Sequence, residues 1–173
     1  LGYDIVIHST TKYLTGHGVV VGGAIISTHL DFLRSKQDGV GRMTYLLGPT
    51  VSPFDAWLAN LGLKTFEVRM QRHAENGLAV ARWLEAHPKV GRVDYPGLEN
   101  HLGHDIAKKQ MSDGFGGMVS FELKGGYDAG VTMMNNIQLA SLAVSLGNVD
   151  SLIQHPASMT HRGVPRQECL KVG

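Results

Sequence analysis

The sequence predicts an α/β fold, with the closing part of a larger α/β domain followed by a small α+β domain. Three observations carry that expectation. A short continuous apolar run, Ile5-Val6-Ile7, ends in a polar cluster, as buried strands of α/β sheets do. A long stretch from Ser52 to His87 repeats its apolar residues at helical spacing. Beyond Pro88, short strand-like and helix-like segments alternate.

The elements follow in order. Residues 4–8 read as the first, buried strand, and Ser9-Thr10-Thr11-Lys12 stands at its C-terminal end. Gly16, Gly18, Gly22 and Gly23 bracket Val19-Val20-Val21, and Ala24-Ile25-Ile26 continues as a second strand. Leu30 to Gln37 reads as a short helix, and Gly39 to Pro49 as irregular. Ser52-Pro53-Phe54-Asp55 is a helix start: Ser suits the N-cap, Pro the first helical position and Asp the electropositive first turn. That helix pauses at Gly62 and restarts near Thr65, with Phe66, Met70, Ala74, Leu78, Ala81 and Leu84 on one face. Then come a strand (90–95), a turn at Pro96-Gly97, a helix (104–111), a strand (118–123), a helix (129–137) and a strand (141–146). Gly147-Asn148 opens a polar loop toward Gln154 to His161. The domain boundary is placed after residue 63, giving domains 1–63 and 64–173.

Composition excludes several classes. The 173 residues carry 16 Lys+Arg against 15 Asp+Glu, and no basic run exceeds Lys108-Lys109, so nothing marks a nucleic-acid or polybasic membrane partner. No apolar stretch approaches the ~20 residues that span a bilayer. The one cysteine, Cys169, has no partner within the chain, which suits a reducing, cytoplasmic setting. The chain begins at Leu1 without Met and stops at Lys171-Val172-Gly173 with no polar tail, and so reads as an excerpt from a longer protein.

Four features are candidates for chemistry. Gly16-His17-Gly18 with Gly22 nearly matches a dinucleotide-binding loop, but such a loop must open a helix, and Val19 to Ile26 is strand-like. It reads as a glycine-rich turn. The nine histidines lack an HExxH or a carboxylate at ligand spacing, so they read as surface and capping residues, with no metal expected. Nothing near Cys169 marks it as a nucleophile. Ser9-Thr10-Thr11-Lys12 is more informative. Hydroxyls beside a lysine at the carboxyl end of a strand suit a phosphate and an imine-forming amine. Taken alone, the cluster is equally an ordinary polar loop with a solvated lysine.

The wider context resolves that choice. Asp4-Ile-Val-Ile-His-Ser-Thr-Thr-Lys-Tyr-Leu-Thr-Gly-His-Gly18 resembles the lysine segment of the Cys/Met-metabolism family of pyridoxal-phosphate enzymes. Two further blocks agree in order: Ser52 to Trp57 running into Gly62-Leu-Lys-Thr65 and Arg69-Met70, and Ala143-Val-Ser-Leu-Gly147 leading to Gln154-His-Pro-Ala-Ser-Met-Thr-His161. The resemblance covers essentially the whole chain. It implies the aspartate-aminotransferase-like α/β architecture (fold type I), with pyridoxal 5'-phosphate as cofactor.

Carried over residue by residue, the resemblance makes Lys12 the Schiff-base lysine and proton shuttle. Ser9 and Thr11 match the hydroxyls that bond the cofactor phosphate. Ser145, with the backbone beside it at Leu146, matches the position that helps hold the amino-acid carboxylate. The implied activity is γ-elimination or γ-replacement on a sulfur amino acid or an activated homoserine, in a homo-oligomer, dimer or tetramer. Val144-Ser145-Leu146-Gly147 and Gln154 to His161 look most like the methionine γ-lyase branch. Thr44-Tyr45 departs from that branch, which keeps the O-acetyl- or O-succinylhomoserine sulfhydrylases and cystathionine γ-synthases as the alternative. The phosphate loop, the stacking aromatic and the acid on the pyridine nitrogen are implied upstream of this chain, and the carboxylate-gripping arginine downstream. A non-catalytic, self-associating fragment is therefore the alternative of another class for the chain by itself.

Overall fold

The computed structural model describes residues 2–172. Leu1 and Gly173, the outer limits of the two expected domains, lie outside the described residues. The chain divides into two compact units that meet between Arg69 and Met70. The first unit extends past Leu63 because Arg69, in the first turn of a helix, bonds the main chain of Tyr13, Leu14 and Gly62.

In the first unit, β1 (Ile5–Ser9) and β2 (Gly23–Ser27) form an antiparallel ribbon, with Ile5 opposite Ser27 and Ser9 opposite Gly23. A wide turn, Thr10–Leu14, leaves β1 and is broken at Lys12, whose φ of −97° and ψ of −129° are not helical. The first strand was expected to be buried. It is exposed along its whole length, Ile7 to 76%, because β2 is its only ladder partner among the described residues. Val19 to Gly22, expected to be strand-like, lies outside β2, which begins at Gly23.

Two short helices follow, α1 (Leu30–Arg34) and α2 (Gly39–Leu47). The second replaces the irregular segment expected over 39–49. Its glycines read as breakers in sequence, but Gly41 sits against the main chain of Arg34 and Ser35, where a side chain has no room. Gly48 closes the helix with a φ of 66°, its N–H reaching Thr44 O. Helix α3 (Pro53–Leu63) starts as expected: the Asp55 N–H donates to Ser52 Oγ at 3.1 Å, and that hydroxyl donates to Asp55 Oδ2 at 2.9 Å. Helix α4 (Phe66–Glu85) resumes after the break at Lys64-Thr65.

The second unit contains β3 (Val90–Asp94), α5 (His104–Gln110), β4 (Ser120–Leu123) and α6 (Gly126–Asn136). β5 (Ser141–Leu142), β6 (Leu152–Ile153) and α7 (Arg166–Val172) follow. β3 and β4 pair antiparallel, and β5 and β6 pair parallel. The core gathers Ala81, Tyr95 and Leu98, with Leu78, Val93, Phe115 and Val119 packed against it. Tyr95 is fully buried, and its hydroxyl lies 2.9 Å from Gly116 O and 3.2 Å from Ala74 O, so the one large polar group of the core is satisfied. The strand expected over 141–146 stops at Leu142. Ser145 adopts a φ of 140° and Gly147 one of 86°, and no β-ladder accommodates either.

Candidate active site

Lys12 stands three residues beyond β1, half-buried, on the turn that leaves the strand's carboxyl end. Its main chain is held from both sides. Upstream, Thr10 N–H donates to Gly22 O at 3.0 Å, and Gly22 N–H donates to Thr11 Oγ1 at 2.9 Å. Downstream, Gly16 N–H donates to Lys12 O at 2.8 Å, and Thr15 N–H to Thr10 O at 3.2 Å. The Thr15 carbonyl accepts a short bond, 2.6 Å, from His17 Nδ1–H.

The carbonyls of Tyr13 and Leu14, at the end of the turn, accept from a distant side chain. Arg69 supplies the donors. Its Nη1 donates to Tyr13 O at 2.8 Å, and its Nη2 to Gly62 O at 2.8 Å and, more loosely, to Leu14 O at 3.4 Å. Its Nε donates to Thr65 Oγ1 at 3.0 Å. Arg69 as a residue is 9% exposed, and burial pulls its pKa below the ordinary arginine value. It also lies over the Phe66 ring, 5.9 Å from the centroid.

The donor set at this strand end fits a phosphate-bearing aldehyde. It combines a primary amine at Lys12 with an exposed hydroxyl at Ser9 and a second hydroxyl at Thr11. The Thr11 lone pair is already taken by Gly22 N–H, which leaves its proton to donate. That proton now meets Gly22 O at 3.2 Å, the longer of the two contacts, so turning it to an anion sacrifices a weak bond for a charge-assisted one.

Ser145 and Leu146 belong to the second unit, in the loop after β5. Ser145 is exposed, Leu146 half-buried and Gly147 buried. A φ of 140° at a serine is a costly conformation for a residue with a Cβ, and such residues cluster at ligand-binding sites. In the following block, His155 bonds Ser158 Oγ at 2.8 Å and meets the Tyr127 ring edge-on at 5.1 Å. Other histidines bond main chain: His104 Nδ1–H donates to Pro96 O at 2.8 Å, and His101 Nδ1 accepts from Gly103 N–H at 3.0 Å.

A family profile described as Cys/Met metabolism PLP-dependent enzyme matches residues 1–173. The chain belongs to this family. An L-methionine gamma-lyase of Fusobacterium nucleatum subsp. polymorphum is 53% identical over 168 residues, covering 97% of this chain and 42% of that protein. A cystathionine beta-lyase of Coxiella burnetii is 47% identical, covering 100% of this chain and 44% of its own length. Among solved structures, the cystathionine gamma synthase of Xanthomonas oryzae pv. oryzae, in complex with aminoacrylate and cysteine, superposes with a TM-score of 0.89 at 44% identity. That superposition covers 99% of this chain and 43% of the synthase. The chain thus spans well under half the length of the relatives it matches. These likenesses establish the fold class as fold type I α/β, the aspartate-aminotransferase-like architecture that the sequence resemblance implied.

Within this PLP-dependent family frame, the structure brings Ser9, Thr11 and Lys12 together at one strand end. Sequence reading quoted Arg69 within a family block and Gly22 among the turn glycines, but gave neither a role at that strand end. The i,i+4 spacing of Thr65 and Arg69 was a local signal for the arginine. Its carbonyl partners on the turn lie 55 and 56 residues away and leave no trace in spacing.

Proposed function

We propose that the whole protein to which this chain belongs performs pyridoxal-phosphate-dependent γ-elimination or γ-replacement on sulfur amino acids or activated homoserine, most like a methionine γ-lyase. The observation that carries this reading is the placement of Lys12 on a pinned turn at the carboxyl end of β1, beside the hydroxyls of Ser9 and Thr11. Bound there, the cofactor supplies an electron sink that stabilises a carbanion. Lys12 holds it covalently through Nζ and, once released, moves a proton at that atom. Ser9 and Thr11 donate to the phosphate. Ser145 and the main chain at Leu146 help hold the substrate carboxylate, and the positive φ of Ser145 turns the peptide groups on either side of it away from strand geometry. In this reading residues 1–63 are the end of the cofactor-binding domain and 64–173 the small domain. The protein works as a cytoplasmic homo-oligomer, dimer or tetramer, on a small amino-acid substrate.

A γ-replacement enzyme, a cystathionine γ-synthase or homoserine-ester sulfhydrylase, is the second reading. It is supported by a cystathionine gamma-synthase of Mycobacterium tuberculosis, whose 48% identity lies close to the 53% of the Fusobacterium methionine gamma-lyase, and by the likeness to the Xanthomonas synthase structure. Borohydride trapping of the full-length protein followed by peptide mass spectrometry tests the common core. The pyridoxyl adduct should fall on Lys12, and an adduct on Lys64, or none, overturns the assignment. Lys12→Arg should abolish turnover. Product analysis with methionine and with O-acetylhomoserine plus a thiol then separates the two readings.

A further inference from the structure

Three carbonyls and one hydroxyl converge on the buried guanidinium of Arg69. Two of the carbonyls, those of Tyr13 and Leu14, directly follow Lys12 in the chain. The third, Gly62 O, and the hydroxyl of Thr65 lie at the junction of α3 and α4. Arg69 therefore ties the lysine turn to the two helices behind it.

The space for this clamp is cut by glycines. Gly16 has a φ of 71°, and a Cβ there would overlap the Arg69 guanidinium. A Cβ on Gly62 would overlap the main chain of Thr15. Thr15 itself is fully buried, so the segment after Lys12 is packed from one side and hydrogen-bonded from the other. A planar five-donor fork meets several acceptors at fixed angles, which an ammonium on a flexible stem does not reproduce.

We propose that Arg69 is the positioning residue of the lysine turn: by holding the carbonyls of Tyr13 and Leu14 it fixes the main chain from which the Lys12 amine reaches the cofactor. This rests on Lys12 carrying the cofactor. The turn departs from helical geometry at Lys12, so the Arg69 donors add a restraint from outside to the turn's own bonds at Thr15 and Gly16. Displacing a reacting amine by about 1 Å is enough to lower a rate roughly a hundredfold.

The test uses the full-length protein with Arg69→Lys, which keeps the charge and loses the fork. Three quantities are read: hydrogen exchange of residues 10–16 without cofactor, the fraction of Lys12 trapped by borohydride with pyridoxal phosphate, and kcat against KM. Exchange should accelerate in 10–16 and at the α3–α4 junction that Arg69 also bonds, and not elsewhere. The trapped fraction and kcat should fall at least about tenfold while KM stays within about twofold. Unchanged trapping and kcat overturn the proposal, as does acceleration of exchange throughout the protein, which marks a purely structural role. Thr65→Val removes the acceptor of Nε, together with the Thr65 hydroxyl's own bond to Gly62 O, and leaves the bonds to Tyr13 and Leu14 in place, so it should shift the same quantities less; it decides the matter if Arg69→Lys does not fold. Failure of wild-type Lys12 to take the adduct sinks the functional reading instead, while exchange in cofactor-free protein still reports whether Arg69 holds the turn.

Discussion

The hydroxyl of Thr11 accepts the N–H of Gly22 at 2.9 Å and faces the carbonyl of the same residue at 3.2 Å. One glycine thereby aligns the hydroxyl assigned to the cofactor phosphate. Replacing Ser9 and Thr11 together by Ala removes two donors to a charged group, each worth about 1.5–3 kcal/mol. Cofactor affinity of the full-length protein, followed by fluorescence titration, should fall at least about tenfold with the fold intact. Unchanged affinity would return both residues to an ordinary polar loop.

Ser145 separates strain from chemistry. Ser145→Gly relieves the positive φ, whereas Ser145→Ala keeps it. The glycine variant should be the more stable of the two by about 1–3 kcal/mol in urea titration of the full-length protein. Both lack the hydroxyl, so both should raise KM for the amino acid. Equal stability of the two variants would show that the backbone relaxes without cost.

Tyr95 anchors the core of the second unit through its hydroxyl as well as its ring. Tyr95→Phe leaves the half-buried carbonyls of Gly116 and Ala74 without that donor. A loss of about 1–3 kcal/mol in unfolding free energy is expected. Gly97→Ala should also destabilise, by about 1–3 kcal/mol, since its Cβ would lie 2.6 Å from the Tyr95 ring.

Expressed alone, the 173-residue chain should be catalytically silent and poorly soluble. The β1–β2 ribbon is two strands wide, and Ile7 and Ile26 are 76% and 57% exposed. Two-stranded ribbons are marginal in water, and open apolar edges recruit further strands. Hydrogen exchange should be fast over residues 2–50 and slower over 90–160, where Tyr95, Leu98 and Phe115 pack. Uniform protection together with measurable γ-elimination would refute this.

Much of the secondary structure was legible because its causes are local. The Ser52 cap on α3 acts over three residues, and the break at Gly62 and restart near Thr65 are written in adjacent residues. The lysine cluster was legible as a motif for the same reason, since Ser9, Thr11 and Lys12 are neighbours in sequence. Helix α2 was not, because whether Gly39 and Gly41 break a helix or make room inside one depends on what packs against them: Phe32 and the main chain of Arg34 and Ser35.

What the sequence by itself determined is therefore the family to which the chain belongs and the cluster at the end of β1 to which the chemistry is assigned. Only the tertiary structure decided what holds that cluster in place. Arg69 and Tyr13 are 56 residues apart, and their bond exists because the fold brings the start of α4 to the carbonyls of the Lys12 turn. Ser145 shows the same division. Its identity was readable within a short block, but its φ of 140° is imposed by how the loop after β5 is held in the folded chain. Hydrogen bonding to main chain carries no side-chain signature, so such contacts appear only when the chain has folded.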